Sequence, residues 1–173
     1  IFSGKQVVER VFKDLEKRIG RTALVTGIST GYSKLDEMTA GLQNTDLIIL
    51  AARPSMGKTA FALNLALNAV TMGEAPTTTA VFSLEMSMEQ LMMRLLCCQG
   101  RVDLGSLRRG FLDDSDWSKL YGAAEILAKA PLFIDDTAAL STMELRARCR
   151  RLKSEHNLGL VVVDYLQLMR ASR

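Results

Sequence analysis

Apolar residues at Val8, Val11, Phe12, Leu15 and Ile19 follow the i, i+3, i+4, i+7, i+11 spacing that lines one face of a helix. Ser3 and Gln6 stand at capping-box spacing ahead of that stripe, and Gly20 is a natural stop after it. The remaining faces are Lys, Arg, Glu and Asp, so the pattern predicts an outlying amphipathic helix. Arg21–Gln43, with Gly27, Gly31, Gly41 and scattered Thr and Ser, reads as a connector with short elements, a hinge between that helix and the core. The division drawn from this is 1–21 for helix and hinge and 22–173 for the main domain.

From Asp46 onward strand, turn and helix patterns alternate. Strands are predicted at Asp46–Ala51, Thr79–Leu84, Leu132–Ile134 and Leu160–Val163, short apolar runs suited to a buried parallel sheet. Helices are predicted at Thr59–Met72, Met88–Cys98 and Asp113–Lys129. Another follows the Ser141/Glu144 capping box and runs to about His156. Alternating strands and helices specify an α/β fold, a mostly parallel sheet with helices on both faces. Met86, Met88, Met92 and Met93 read as core filler or as a contact between subunits, and Trp117 as an anchor for its helix.

Composition narrows the classes. With 48% hydrophobic and 24% charged residues, the chain has the make-up of one globular domain. No apolar run approaches the length of a membrane span and no signal-peptide pattern opens the sequence, so no membrane partner is expected. The three cysteines, Cys97, Cys98 and Cys149, are an odd count without C-x-x-C spacing, which argues for reduced thiols rather than disulfides or zinc. His156, the single histidine, falls at a helix end and reads as a capping or solvated group.

The net charge of +3 conceals a segregation. Residues 1–22 carry six Lys/Arg against three Asp/Glu, and residues 141–173 carry seven against three, leaving nine against thirteen between them. Two readings fit the basic cluster Arg146, Arg148, Arg150, Arg151 and Lys153: a solvated helix face, or a surface for nucleic acid or an acidic partner.

The strongest chemical signal is Ala52-Arg53-Pro54-Ser55-Met56-Gly57-Lys58-Thr59, placed between a predicted strand and a predicted helix. Such a loop wraps its N–H groups around phosphate oxygens while the helix N-terminus contributes its positive dipole end. Gly57 allows close backbone approach, Lys58 supplies a cation for the β- and γ-phosphates, and the Thr59 hydroxyl can ligate Mg²⁺. The usual pattern begins with glycine. Ala52 is tolerable there with a negative φ, and Pro54 stiffens the loop.

A second signal is Leu160-Val161-Val162-Val163-Asp164, a carboxylate ending a buried strand where it can hold Mg²⁺ directly or through water. The third is Glu85, just after Val81-Phe82-Ser83-Leu84. It fits a base for the water attacking the γ-phosphate, and also a glutamate favoured by a helix N-terminus. Gln167 can hydrogen-bond the γ-phosphate, with a plain surface glutamine as the competing reading.

These residues bring a known family into view. Thr26-Gly27-Ile28, Thr30-Gly31-Tyr32, Leu35-Asp36 and Thr39-Ala40-Gly41-Leu42 resemble the lead-in of the DnaB-type hexameric replicative helicases. So do Ala51–Thr59, Phe82-Ser83-Leu84-Glu85-Met86-Ser87 and Asp164-Tyr165-Leu166-Gln167-Leu168-Met169, and a phosphate loop beginning with Ala is itself that family's form. The resemblance covers residues 22–169, and residues 1–19 are similar to the helix that links the family's N-terminal domain to its motor and docks on a neighbouring subunit.

The resemblance implies a RecA-like P-loop core, six subunits in a ring, and ATP-driven 5′-to-3′ movement along single-stranded DNA at the replication fork. It implies ATP and Mg²⁺ as cofactors, and primase and helicase loader proteins as partners in the cytoplasm. Lys58 and Thr59 match the family's phosphate and Mg²⁺ contacts, Asp164 its second Mg²⁺ carboxylate, Glu85 its catalytic base and Gln167 its γ-phosphate sensor. The family's N-terminal domain, later strands, DNA-contacting loops and arginine finger are expected to have no counterpart in this sequence. Another RecA-type ATPase, recombinase-like, is the alternative within the fold. A nucleotide- or loader-binding module without turnover is the alternative outside it.

Overall fold

The computed structural model describes residues 3–19, 25–72 and 76–170, with side chains left out at 14–19. The chain forms two compact units, Ile1–Asp46 and Leu47–Arg173.

In the first unit, α1 spans Gly4–Ile19. The capping box is present: the Ser3 N–H donates to Gln6 Oε1 at 3.0 Å and the Gln6 N–H to Ser3 Oγ at 3.4 Å. Val8, Val11 and Phe12 of the stripe all face solvent, whereas the side chains of Leu15 and Ile19, and Gly20, lie outside the described residues. The connector contains α2 (Ser33–Thr39) and an antiparallel bridge, Ile28 to Leu42. Gly27 is required by that bridge, because a Cβ there meets the Leu42 carbonyl oxygen at 2.3 Å. Asp36 closes the turn by accepting from Ser29 Oγ, the Thr30 N–H and Thr30 Oγ1 at 2.7–2.9 Å. Burial pushes its carboxyl pKa up, and these hydrogen bonds outweigh that and hold it below the ordinary value.

The second unit runs α3 (Lys58–Thr71), β1 (Thr79–Ser83), α4 (Met88–Gly100), α5 (Leu104–Arg109) and α6 (Asp114–Lys129). It continues with β2 (Leu132–Asp135), α7 (Thr142–His156), β3 (Leu160–Asp164) and a short 3-10 helix, Leu166–Leu168. The sheet is parallel with order β2-β1-β3, and β1 is buried along its whole length. Alternation along the strands divides the core. Val81 faces Leu63, Ala66 and Leu67 of α3, Leu91 and Leu95 of α4 and Leu127 of α6, whereas Ala80 and Phe82 face Leu145 and Leu152 of α7 with Leu140 and Leu158. Helices therefore cover both faces, as a buried parallel sheet requires. Phe82, Leu91 and Leu95 are each 1% exposed, and burial of such a side chain contributes about 1.5–3 kcal/mol.

Caps mark the helix starts. Ser87, Asp103, Asp113 and Ser141 each accept a backbone N–H in the first turn, and Ser141 with Glu144 forms the expected reciprocal box. The capping hydrogen bonds from Ser141 hold the Glu144 carboxyl pKa below its ordinary value. His156 ends α7 with its ring 4.7 Å from that of Phe133 and its carbonyl accepting from Thr78 Oγ1.

Two expectations are overturned. Asp46–Ala51 is not a strand: its residues are in no regular element, and Leu47, Ile48 and Ile49 are 85%, 56% and 71% exposed. An apolar run becomes a strand only when a neighbour takes up its N–H and C=O groups, and none of the described strands pairs with it. Trp117 does not anchor α6 in the core. It is half-exposed beside Tyr121, their ring centroids 6.1 Å apart, on the wall of an apolar groove of about 730 Å³ between α4 and α6. Met88, Met92 and Met93 line the same groove, while Met86 and Met92 also pack on the core.

Candidate active site

The C-terminal ends of β1 and β3 and the N-terminus of α3 meet at one place. Thr59 Oγ1 donates to Asp164 Oδ2 at 2.6 Å across 105 residues of sequence, and Lys58 Nζ lies 3.5 Å from Asp164 Oδ1. The Asp164 side chain is 14% exposed and that of Lys58 32%. The same ammonium sits over the ring of Tyr165, 4.5 Å from its centroid.

The loop that delivers these residues is built by its backbone. Ser55 and Gly57 both take left-handed conformations, φ 65° and 85°, while Ala52 does not, which is why alanine serves at that position. Gly57 is the N-cap of α3 and provides no side-chain hydrogen bond, so the first N–H groups of the helix lack a side-chain cap. A Cβ built on Gly57 meets nothing within 4 Å; its glycine is needed for φ, and it borders open space. Arg53, Pro54, Ser55 and Met56 are exposed around it. An uncapped helix start, a lysine and open space form a phosphate receptor.

Glu85 follows β1 on the same edge. Ser83 pairs in register with Asp164, and the Leu84 N–H donates to the Asp164 carbonyl at 2.9 Å, so Glu85 emerges beside the Asp164 strand end. Its loop is pinned at several points. Ser83 Oγ donates to the Met86 carbonyl at 2.8 Å and accepts the Met86 N–H at 3.1 Å; Asp136 Oδ2 accepts the Met88 N–H at 3.0 Å. Glu85 itself is exposed, as a group handling water requires. The end of β2 is braced in turn: Arg148 of α7 pairs with Asp135 and donates to Thr137 Oγ1 at 2.8 Å. Burial pushes the Asp135 carboxyl pKa up, but the hydrogen bonds from Arg148 and Thr137 prevail and lower it.

Of the residues expected to act, Lys58, Thr59 and Asp164 are in contact, and Glu85 is placed on the adjoining strand end. Gln167 lies exposed in the 3-10 helix, three residues beyond Asp164. Thr59 Oγ1 and Asp164 offer hard oxygen donors that fit Mg²⁺, an ion that keeps several waters and takes further oxygens from phosphate. Residue-by-residue reading passes over Tyr165, Ser83 and the Asp135–Arg148 pair. Adjacency to Asp164 is the one available signal for Tyr165.

A parallel sheet carrying a phosphate loop and a strand-end carboxylate on one edge is a P-loop core of the RecA-like class. Residues 27–173 match the DnaB-like helicase C terminal domain family, and the chain belongs to that family. It is 48% identical over 168 residues to the replicative DNA helicase DnaC of Bacillus subtilis (strain 168), covering 97% of this chain and 37% of the relative. To the replicative DNA helicase DnaB of Pasteurella multocida (strain Pm70) it is 52% identical over 169 residues, 91% of this chain and 36% of the relative. Among solved structures, the ATPase domain of another helicase superposes with TM-score 0.89 at 30% identity, over all of this chain and 60% of that one. A DnaB-like replicative helicase, described with its interactions with primase, gives 0.82 at 31%, over all of this chain and 41% of that one. The chain thus spans little more than a third of the curated relatives' length.

Proposed function

We propose that this chain is the ATP-hydrolysing motor portion of a replicative DNA helicase subunit, coupling hydrolysis to movement on single-stranded DNA and duplex unwinding. The observation that carries this reading is the convergence of Lys58, Thr59 and Asp164 at the uncapped start of α3, with Glu85 on the next strand end.

In the proposed reaction the α3 N-terminus and the loop 52–59 bind the phosphates, and Lys58 leaves Asp164 to neutralise the β- and γ-oxygens. Thr59 Oγ1 and Asp164 would hold Mg²⁺, which when bound draws charge from the phosphate oxygens. Glu85 accepts a proton from the attacking water as its oxygen bonds to the γ-phosphorus. The bond to the β–γ bridging oxygen breaks, and ADP leaves with that oxygen. Gln167 hydrogen-bonds the γ-phosphate and loses that partner on hydrolysis.

The partners follow from the same reading: single-stranded DNA, five further copies in a ring, primase and a helicase loader, in the cytoplasm. Two surfaces support assembly. The stripe of α1 exposes Val8, Val11 and Phe12, and the α4–α6 groove offers an apolar trough lined by Met88, Met92, Trp117 and Tyr121. A helix of a second copy laid in this groove covers both.

The test is ATP turnover by the full-length protein with and without single-stranded DNA, alongside Glu85→Gln. DNA should stimulate the wild type, and the variant should bind ATP while losing about 10²–10⁴-fold in turnover. An unstimulated wild type removes the helicase reading, and a fully active variant removes Glu85 as the base.

A further inference from the structure

We propose that Tyr165 is a positioning residue for Lys58, its ring face holding the ammonium at the phosphate loop through the reaction cycle. The inference rests on the site reading above and extends it to a residue with no role there.

Both contacts of the Lys58 ammonium come from one dipeptide, the carboxylate of Asp164 at 3.5 Å and the ring of Tyr165 at 4.5 Å. They differ in kind. The carboxylate is also a ligand for Mg²⁺ in the reaction proposed above, so its charge is not free for Lys58 once the metal is held. The ring is neutral, takes no part in metal binding, and attracts a cation through its quadrupole without competing for phosphate. A lysine stem has four rotatable carbons, and a face that narrows its search lowers the entropy lost on meeting the phosphate.

The ring suits this role because its backbone is held on both sides. On the N-terminal side the Asp164 carbonyl accepts the Leu84 N–H at 2.9 Å, locking the strand end to β1. On the C-terminal side the Tyr165 carbonyl accepts the Leu168 N–H at 3.2 Å, closing the 3-10 turn. Lys58 is the first residue of α3, so its own backbone is equally fixed. Two rigid supports thus face each other with the ammonium against the ring.

The experiment measures binding of AMP-PNP with Mg²⁺ to the full-length protein by titration calorimetry. The variants are Tyr165→Phe, Tyr165→Leu, and Tyr165 replaced by phenylalanine bearing one, two or three ring fluorines. Tyr165→Leu should weaken binding about two- to fivefold, the range of a partly exposed cation–π contact, while Tyr165→Phe keeps wild-type affinity. Affinity should fall stepwise with each added fluorine, which drains the ring's negative face while leaving its shape nearly unchanged. A merely structural ring gives a flat fluorine series, and that result overturns the proposal. So does a leucine variant that binds like wild type or more tightly, or a phenylalanine variant as weak as leucine, which assigns the effect to the hydroxyl. A wild type that fails to bind AMP-PNP at all sinks the nucleotide-site reading instead.

Discussion

Replacing Asp164 with asparagine should change nucleotide affinity in opposite directions with and without Mg²⁺. Asparagine keeps the shape and an oxygen that accepts from Thr59 Oγ1, now 2.6 Å from the carboxylate, so the local hydrogen bond survives. What disappears is the charge 3.5 Å from the Lys58 ammonium. Two unit charges at that distance attract by about 5 kcal/mol at an effective dielectric of 20 and about 1 kcal/mol in water. With the Lys58 side chain 32% exposed, solvent screening places the pair near the lower limit, at about 1–2 kcal/mol. A nucleotide arriving without metal must break that pair and meet the carboxylate's repulsion. Asp164→Asn should therefore tighten ADP binding in excess EDTA by about 5–30-fold. In excess Mg²⁺ the same variant should bind ADP more weakly than wild type, because a charged metal ligand is gone. Titration calorimetry under the two conditions reads both arms. A change of the same sign in both refutes the view that Lys58 and the metal share Asp164.

Two further tests concern the frame. The folded-state pKa of Asp135 lies below its ordinary 3.8, so its contribution to stability is complete above that value and is lost as pH falls through the folded one. Asp135→Asn should cost about 1 kcal/mol at neutral pH and flatten the acid limb of a urea-midpoint-against-pH profile; an unchanged limb rules out the brace. In the full-length protein, Val8→Ser with Phe12→Ser should shift assemblies toward smaller species by light scattering, and intact rings would remove α1 from the interface.

Legibility in the sequence depends on where each signal lies. The runs at Thr79–Ser83 and Leu160–Asp164 are rich in Val, Leu and Phe and do pair as β1 and β3. Asp46–Ala51 has a similar apolar make-up and does not pair, since pairing belongs to the partner as much as to the segment. α5 escapes the pattern because six residues hold too little periodicity, although Asp103 and Gly110 stand at its ends as caps. Lys58, Thr59 and Asp164 are readable because phosphate chemistry demands those side chains in that order. Tyr165 is not, because a ring under an ammonium leaves no spacing rule behind. Trp117 misleads because bulk and aromaticity suit a groove wall as well as a core.

The stripe on α1 and the groove between α4 and α6 are different surfaces of one chain, and a contact between such surfaces has direction. Every copy then carries one plug and one socket, so a row of any length exposes an unused plug at one end and an unused socket at the other. Only a row whose rotation returns it to its start leaves neither. If the turn per copy fell short of closing, the same two surfaces would build a filament, so the angle between neighbours is as much a part of the design as the contact itself.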